Sequence, residues 1–411
     1  MGIFTQSLSS TLHGRFFYNT VEAQLYGVNS HFGVHFQPVL LLILPFFAIH
    51  PSAETLLIIQ STALGLSVSL AYLLAREYLS EDRALLMAFL YAFNSSLIGI
   101  NVFEFHPVSI AVPLFLLAAL FMKRGNVRAF YLASALILTV KEDAFLGVLS
   151  LSLWGALWNG LSRDSLRKNR GSWVMAVVST IYGLITVCFL IPHFGSGYLY
   201  GSLYDRPSVG RRKLLYFVLF NASFGFLPLF KRRNAALLTL PWLESLLASR
   251  KSQTMFGFHY PYMLVPLSFL AALEVVKEVD WRRVSVPLIV SGLLVSVATM
   301  PLTVKPPTEP DPLIYPSVLS PLPGKSASWG AIKLAMGLRG PIYTQPEFYP
   351  AMATRTDVYL YPKGIEPGVI VVNLGTYHGR RALRRLARAK ADLGHYHTVF
   401  KKNGVVLMVR P

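Results

Sequence analysis

The chain has 411 residues, 53% of them hydrophobic and only 14% charged, with a mean hydropathy of +0.48. A water-soluble domain covers its surface with roughly 25% charged residues, so a soluble globular protein is excluded as a description of the whole chain. The net charge of +18 lies in short basic segments between apolar runs, a pattern that orients a membrane protein and meets anionic membrane lipid, with no nucleic-acid partner implied.

Residues 1–36 are polar and aromatic and are predicted to form an outward-facing segment. No hydrophobic span precedes them, which predicts a first membrane helix upstream of Met1. The short run at 37–49 carries Pro45, so it is expected to be re-entrant or interfacial, where protein covers the broken backbone. Apolar runs follow at 54–76, 84–103, 107–122, 128–141, 143–160, 173–193, 214–230, 235–249, 262–277 and 285–303. Runs near ~20 residues cross a bilayer, so 37–303 is predicted to be an all-α polytopic membrane domain of about ten to eleven helices.

Lys123, Arg124 and Arg128, then Arg163, Arg167, Lys168 and Arg170, then Lys231, Arg232 and Arg233, then Lys277, Arg282 and Arg283 occupy every second connection. The positive-inside rule places these on the cytoplasmic side of a cell membrane. The loop at 194–213, with Arg206, Arg211, Arg212 and Lys213, falls on the other side and counts against that scheme. The same parity puts "FEFHP", "KED", the 194–213 loop and "FGFHYP" together outside. It also puts the C-terminus there.

A Pro-rich linker is read at 304–330 and a small α/β extracytoplasmic domain at 331–411. "GVIVVNL" is a buried-strand pattern, and "YHTVFKKNGVVLMVRP" reads as a hairpin about Asn403-Gly404. Between them, Arg381, Arg384, Arg385 and Arg388 share a helical face that either meets anionic headgroups or is simply solvated.

Lys141, Glu142 and Asp143 stand consecutively inside an apolar run. Ionisable groups at membrane depth cost a few kcal/mol each, so the triplet is a functional cluster unless it caps a solvated hairpin. Glu104 and His106 suit acid/base work or half of a cation site, or else a capped helix end, with Pro107 opening the next helix. His31 and His35 have helical spacing, but Gly33 weakens that helix and no third ligand follows, so zinc is poorly supported. His259 and Tyr260 can hydrogen-bond phosphate or sugar, or belong to an aromatic belt. Cys188 is the one cysteine, so no disulfide or thiolate site exists. No P-loop, dinucleotide fingerprint, HExxH or GxSxG is present. The sequons at Asn94 and Asn221 fall within predicted spans, which argues against their glycosylation.

"GIFTQSLSSTLHGRFFY", "SHFGVHFQPVLLLILPFFAIHPSAETLLIIQSTALGLSVSLAYLLARE", "NVFEFHPVSIAVPLFLLAAL", "TVKEDAFLGVLSL" and "FHYPYMLVPLSFLAAL" carry a resemblance over nearly the whole chain. It resembles a family of predicted archaeal and bacterial membrane proteins of unknown function, distantly similar to GT-C-type glycosyltransferases. That resemblance implies a many-helix membrane domain with an outward C-terminal domain, an acidic residue in the first outer loop, and a polyprenyl-phosphate sugar as donor. Here the Asp that tends to precede "GIF" would lie before Met1, and Thr5 stands where an acid is expected.

On that basis the expected activity is sugar transfer from a polyprenyl-phosphate carrier. Glu142 or Asp143, with Glu104, would serve as base or metal ligands and Lys141 as phosphate contact. His31, His35, His106 and His259 would position donor and acceptor. A divalent metal ion is the one cofactor left open, although a hard cation wants more oxygen ligands than the sequence places. The rival readings are a transporter or flippase of a lipid-linked substrate and a non-catalytic assembly protein.

Overall fold

Capping side chains set the starts of several helices. Ser52, Asn94 and Asn126 accept hydrogen bonds from the backbone N–H groups of Thr55, Ser96 and Ala129, satisfying donors that a helix start leaves orphaned. The computed structural model describes residues 1–303, 313–314, 317–318, 324–389 and 393–411. Its helices are α1 (Gly2–Leu12), α2 (Thr20–Tyr26), α3 (Val39–Ile49), α4 (Ala53–Arg76), α5 (Glu81–Ala92), α6 (Ser95–Val102), α7 (Ala111–Lys123) and α8 (Val127–Leu138). They continue with α9 (Ala144–Ala156), α10 (Arg163–Lys168), α11 (Arg170–Ile185), α12 (Ile191–Phe194), α13 (Arg211–Ala222), α14 (Asn234–Leu247), α15 (Leu264–Val276) and α16 (Trp281–Ala298).

Each apolar run of the sequence is thus helical, but most of the helices are short. Among the described residues three helical stretches, Ala53–Arg76, Arg170–Phe194 and Trp281–Ala298, are long and apolar enough to cross a membrane. A fourth counts if α5 and α6, bent by 48°, form one span. The bend falls where Asn94 leaves helical geometry to cap α6, which breaks the expected 84–103 span. Helices of 12 or 13 residues such as α8 and α9 reach only about 18–20 Å, against ~30 Å of hydrocarbon. The expected ten to eleven crossings therefore reduce to three or four by length and composition. The 37–49 run, expected to be broken, is one helix with Pro45 inside it. Asn94 and Asn221 are both buried.

The expected basic connections meet at one end of the helical domain. Lys123 and Lys277 both lie over the Tyr78 and Trp158 rings, and Arg233 lies over Trp158 at 4.0 Å. Lys213, which counted against the orientation scheme, is buried instead. Its ammonium donates to the carbonyls of Ser208, Leu246 and Ala248, each at 2.7 Å. It caps the end of α14 and so carries structure rather than orientation.

After α16, β1 (Leu302–Thr303) pairs in parallel with β2 (Ser317–Val318). Most of the Pro-rich stretch read as linker lies outside the described residues, and α17 (Lys325–Met336) begins within it. The small C-terminal domain holds β3 (Ile342–Thr344), α18 (Tyr349–Met352), β4 (Val358–Tyr359), β5 (Val369–Asn373), α19 (Tyr377–Arg388), β6 (His397–Lys402) and β7 (Val405–Val409). Strand order is β4-β3-β5-β7-β6. The β6–β7 hairpin turns on Asn403 and Gly404, both at positive φ, as a two-residue turn matched to strand twist requires. Central β5 is wholly buried. Its alternate residues face opposite ways: Val369 and Val371 pack with Ala331 and Ile332 of α17, Ile370 and Val372 with Ala382 and Leu386 of α19.

The N-terminal segment joins this domain rather than standing free. Gln6 Nε2 donates to the carbonyls of Arg355 (3.0 Å) and Val358 (3.2 Å), and Gln6 Oε1 accepts from Tyr349 (2.6 Å) and from the Thr20 amide (2.7 Å). Ser9 donates to the Thr354 carbonyl at 2.6 Å. Gln6 and Ser9, which make α1 look like a polar outer segment, are thus buried with partners for their polar groups, while the buried Ser10 hydroxyl has none among the described residues.

Candidate functional site

A cavity of about 210 Å³ lies where the N-terminal segment, the α8–α9 turn and three loops meet. All nine candidates, Glu104, Glu142, Asp143, Lys141, His31, His35, His106, His259 and Tyr260, line it.

The triplet at 141–143 sits in the tight turn between α8 and α9, with no glycine or proline to make it a plain loop. Lys141 pairs with Asp143, and the Tyr262 hydroxyl donates to Asp143 Oδ1 at 2.6 Å. Burial alone would lower the Lys141 ammonium, but Asp143, Glu142 and Glu244 hold its pKa well above the usual lysine value. Glu142 is 1% exposed, with Oε1 2.6 Å from His35 Nδ1, while Oε2 has no hydrogen-bond partner among the described residues. Burial pushes this carboxyl up, yet His35, by charge and hydrogen bond, and then Lys141 hold it below the ordinary carboxylate value. His35 stacks on Tyr200 with centroids 4.5 Å apart.

His31 stands in the same wall but both its ring nitrogens are committed. Nδ1 is 2.9 Å from Glu22 Oε2 and Nε2 is 2.8 Å from Gln37 Oε1. Asn19 donates to Glu22 at 2.6 Å, which completes a buried network. Burial disfavours the charged imidazole, and Glu22 nevertheless raises its pKa above the usual histidine value. So His31 holds the wall together, and the expectation that it contacts substrate does not fit a ring with no nitrogen to spare. Gly33 is needed for another reason than helix weakening: a Cβ there would lie 2.5 Å from the Phe194 carbonyl oxygen.

Across the Phe4 ring from His31, His106 stacks on His259 at 3.7 Å. His106 Nδ1 lies 2.9 Å from the Glu104 carbonyl, and its backbone N–H donates to Gln60 Oε1 at 3.0 Å. Gln60 in turn donates to the carbonyls of Ile100, Asn101 and Phe103, tying the "FEFHP" loop to α4. Burial pushes the His106 pKa down to about 3 and, with His106 and Lys141 nearby, pushes that of His259 well below the usual range. Both rings are therefore neutral at pH 7 and serve as hydrogen-bonding surfaces. Glu104, half exposed, pairs with the Met1 amino group.

Other residues line the cavity without having been singled out in the sequence, among them Glu22, Gln37, Tyr200, Glu244 and Arg250. Glu244 carried a signal, as a lone carboxylate in the apolar run of α14. Arg250 lies over the Tyr200 ring at 5.2 Å and donates to the Tyr260 hydroxyl at 3.4 Å. Among the described residues no three His, Cys, Asp or Glu side chains are grouped to hold a metal ion.

A family model described as "Predicted membrane protein (DUF2079)" matches residues 1–205 and 198–407. The chain belongs to this family. DUF2079 is a family of predicted membrane proteins of unknown function, so membership supports the membrane assignment and is silent on chemistry. No curated protein matches the chain. For this DUF2079 member, chemistry has to be argued from the cavity.

Proposed function

We propose that the chain is a membrane-embedded transferase of the GT-C type, taking a sugar from a polyprenyl-phosphate carrier at the outer face of the membrane. The observation that carries this reading is the buried Glu142 carboxylate, with one oxygen held by His35 and the other without a hydrogen-bond partner among the described residues, beside a cavity that also presents Lys141 and Arg250.

In this reading an acceptor hydroxyl attacks the sugar's anomeric carbon while its proton passes to Glu142 Oε2. The bond from that carbon to the phosphate oxygen breaks, and the lipid phosphate leaves with the electron pair. Lys141 and Arg250 receive its charge. His35 keeps Glu142 oriented, and the neutral His106 and His259, with Tyr260, line the cavity for sugar hydroxyls. Asp143, held by both Lys141 and Tyr262, positions the lysine rather than acting as base.

Native mass spectrometry of gently extracted protein tests donor binding, and a transfer assay with a polyprenyl-phosphate sugar tests turnover. Wild type should retain the lipid, and Lys141→Ala should lose it. Glu142→Gln should keep the lipid while transfer falls by roughly 10²–10⁴-fold, the usual worth of a general base. Folded wild type without such lipid, or full transfer by Glu142→Gln, rules this mechanism out. Movement of the lipid-linked substrate across the bilayer without turnover would point to the transporter reading.

A further inference from the structure

A second cavity, of about 450 Å³, opens at the basic end of the helical domain. That falls within the ~300–1,000 Å³ typical of small-ligand sites. It is the far end of the helices that carry the first cavity: Lys141 and Asp143 flank one end of the α8–α9 hairpin, while Val127 and Gly155 at the other end line this one. The two cavities share no residue.

Met122, Phe130, Trp154 and Trp158 give the second cavity apolar and aromatic walls, and Lys123 and Lys168 give it positive charge. The carboxylates close by are already taken. Glu77 accepts from Arg124 at 2.7 Å, and the buried Glu274 pairs with both Arg233 and Lys277. Lys123 and Lys168 make no ion pair among the described residues. Trp154 is 1% exposed, and its indole N–H has no acceptor there either. Two ammonium groups without counter-ions, a buried donor without an acceptor and a long apolar wall are the complement of one kind of molecule.

We propose that this cavity binds a phosphate-bearing amphiphile, an anionic phospholipid whose chain lies against Phe130 and Trp154 and whose phosphate sits between Lys123 and Lys168. The same ammonium pair could take free phosphate, which is the alternative source of that chemistry. The site is independent of the transfer reaction.

The full chain in phosphatidylcholine nanodiscs is titrated with phosphatidylglycerol or phosphatidylcholine carrying brominated chains, which quench tryptophan on contact. Brominated phosphatidylglycerol should quench at a lower fraction than brominated phosphatidylcholine, and replacing both wall tryptophans, Trp154→Phe with Trp158→Phe, should remove that extra quenching. Lys123→Gln and Lys168→Gln should each weaken the preference by about fivefold. Lys168 is exposed, so its variant tests the charge without disturbing a packed side chain. Displacement of the brominated lipid by millimolar inorganic phosphate would assign the site to phosphate itself, and no displacement would assign it to the lipid. Equal quenching by the two lipids, or an unchanged preference in both lysine variants, overturns the proposal.

Discussion

His31 and Glu22 form a buried pair, both under 5% exposed, whose energetics depend on proton uptake. Around the imidazole stand Glu22, Gln37, His35 and, further off, Glu142. Because the folded pKa of His31 lies above its ordinary value of about 6.5, the folded protein holds this proton more tightly than the unfolded chain does. The stabilisation is complete below about pH 6.5 and is lost as the pH rises through the raised value. Thermal denaturation should therefore show the wild type weakening on the alkaline side. Glu22→Gln should flatten that slope and lower stability below it by about 3–5 kcal/mol, the cost of breaking a buried pair. An unchanged slope would mean that His31 is neutral in the fold.

Gly33 and Gly195 bring two elements into backbone contact. The 3-10 turn at His31–Gly33 presses on the end of α12, and a side chain at either glycine would meet the other segment's backbone within 2.6 Å. That contact holds the loop after α12, which carries Tyr198, Tyr200 and Tyr204 into the cavity wall. Gly33→Ala should cost about 1–3 kcal/mol through overpacking and swing the Tyr200 ring off His35. Denaturation reads the first effect and the His35 ring resonances the second, and wild-type values for both would show that the loop is held elsewhere. At this scale the sequence was readable where a local signal existed. Charges in an apolar run marked Lys141, Glu142 and Asp143, and Asn403-Gly404 marked its hairpin. Glu22 and Gln37 carry no such mark, because what distinguishes them is a histidine that the chain brings to them only on folding. Helix positions followed apolar content, but helix length did not. Asn94 breaks the 84–103 run as a cap, and the turn at 139–143 shortens the helix of the 128–141 run at its end.

At the scale of the whole molecule, Lys123, Arg233 and Lys277 gather at one end of the helical domain, away from the candidate cavity, which keeps basic residues of its own in Lys141 and Arg250. The position of the N-terminal segment was not readable, because Ser, Thr and Gln suit solvent as well as a fully bonded interior. Removing the Gln6 side chain should leave the Arg355 and Val358 carbonyls and the Tyr349 hydroxyl without this partner. A loss of about 1–3 kcal/mol is expected, with faster amide exchange in β4 than in β5. Protection unchanged at both strands would show that the sheet domain does not lean on α1.

Helix α1 has a consequence for how the molecule would come apart. Its first turn places Ile3 and Phe4 in the cavity wall, and Gln6 and Ser9, one turn on, grip the sheet domain. The polypeptide connection through 304–312 is therefore a second tether, not the only one. A protease site engineered there should yield two fragments that travel together through a sizing column, since α1, α2 through Thr20 and Gln24, and the β1–β2 pairing all cross the cut, and Gln6→Ala should weaken that association without being its sole support.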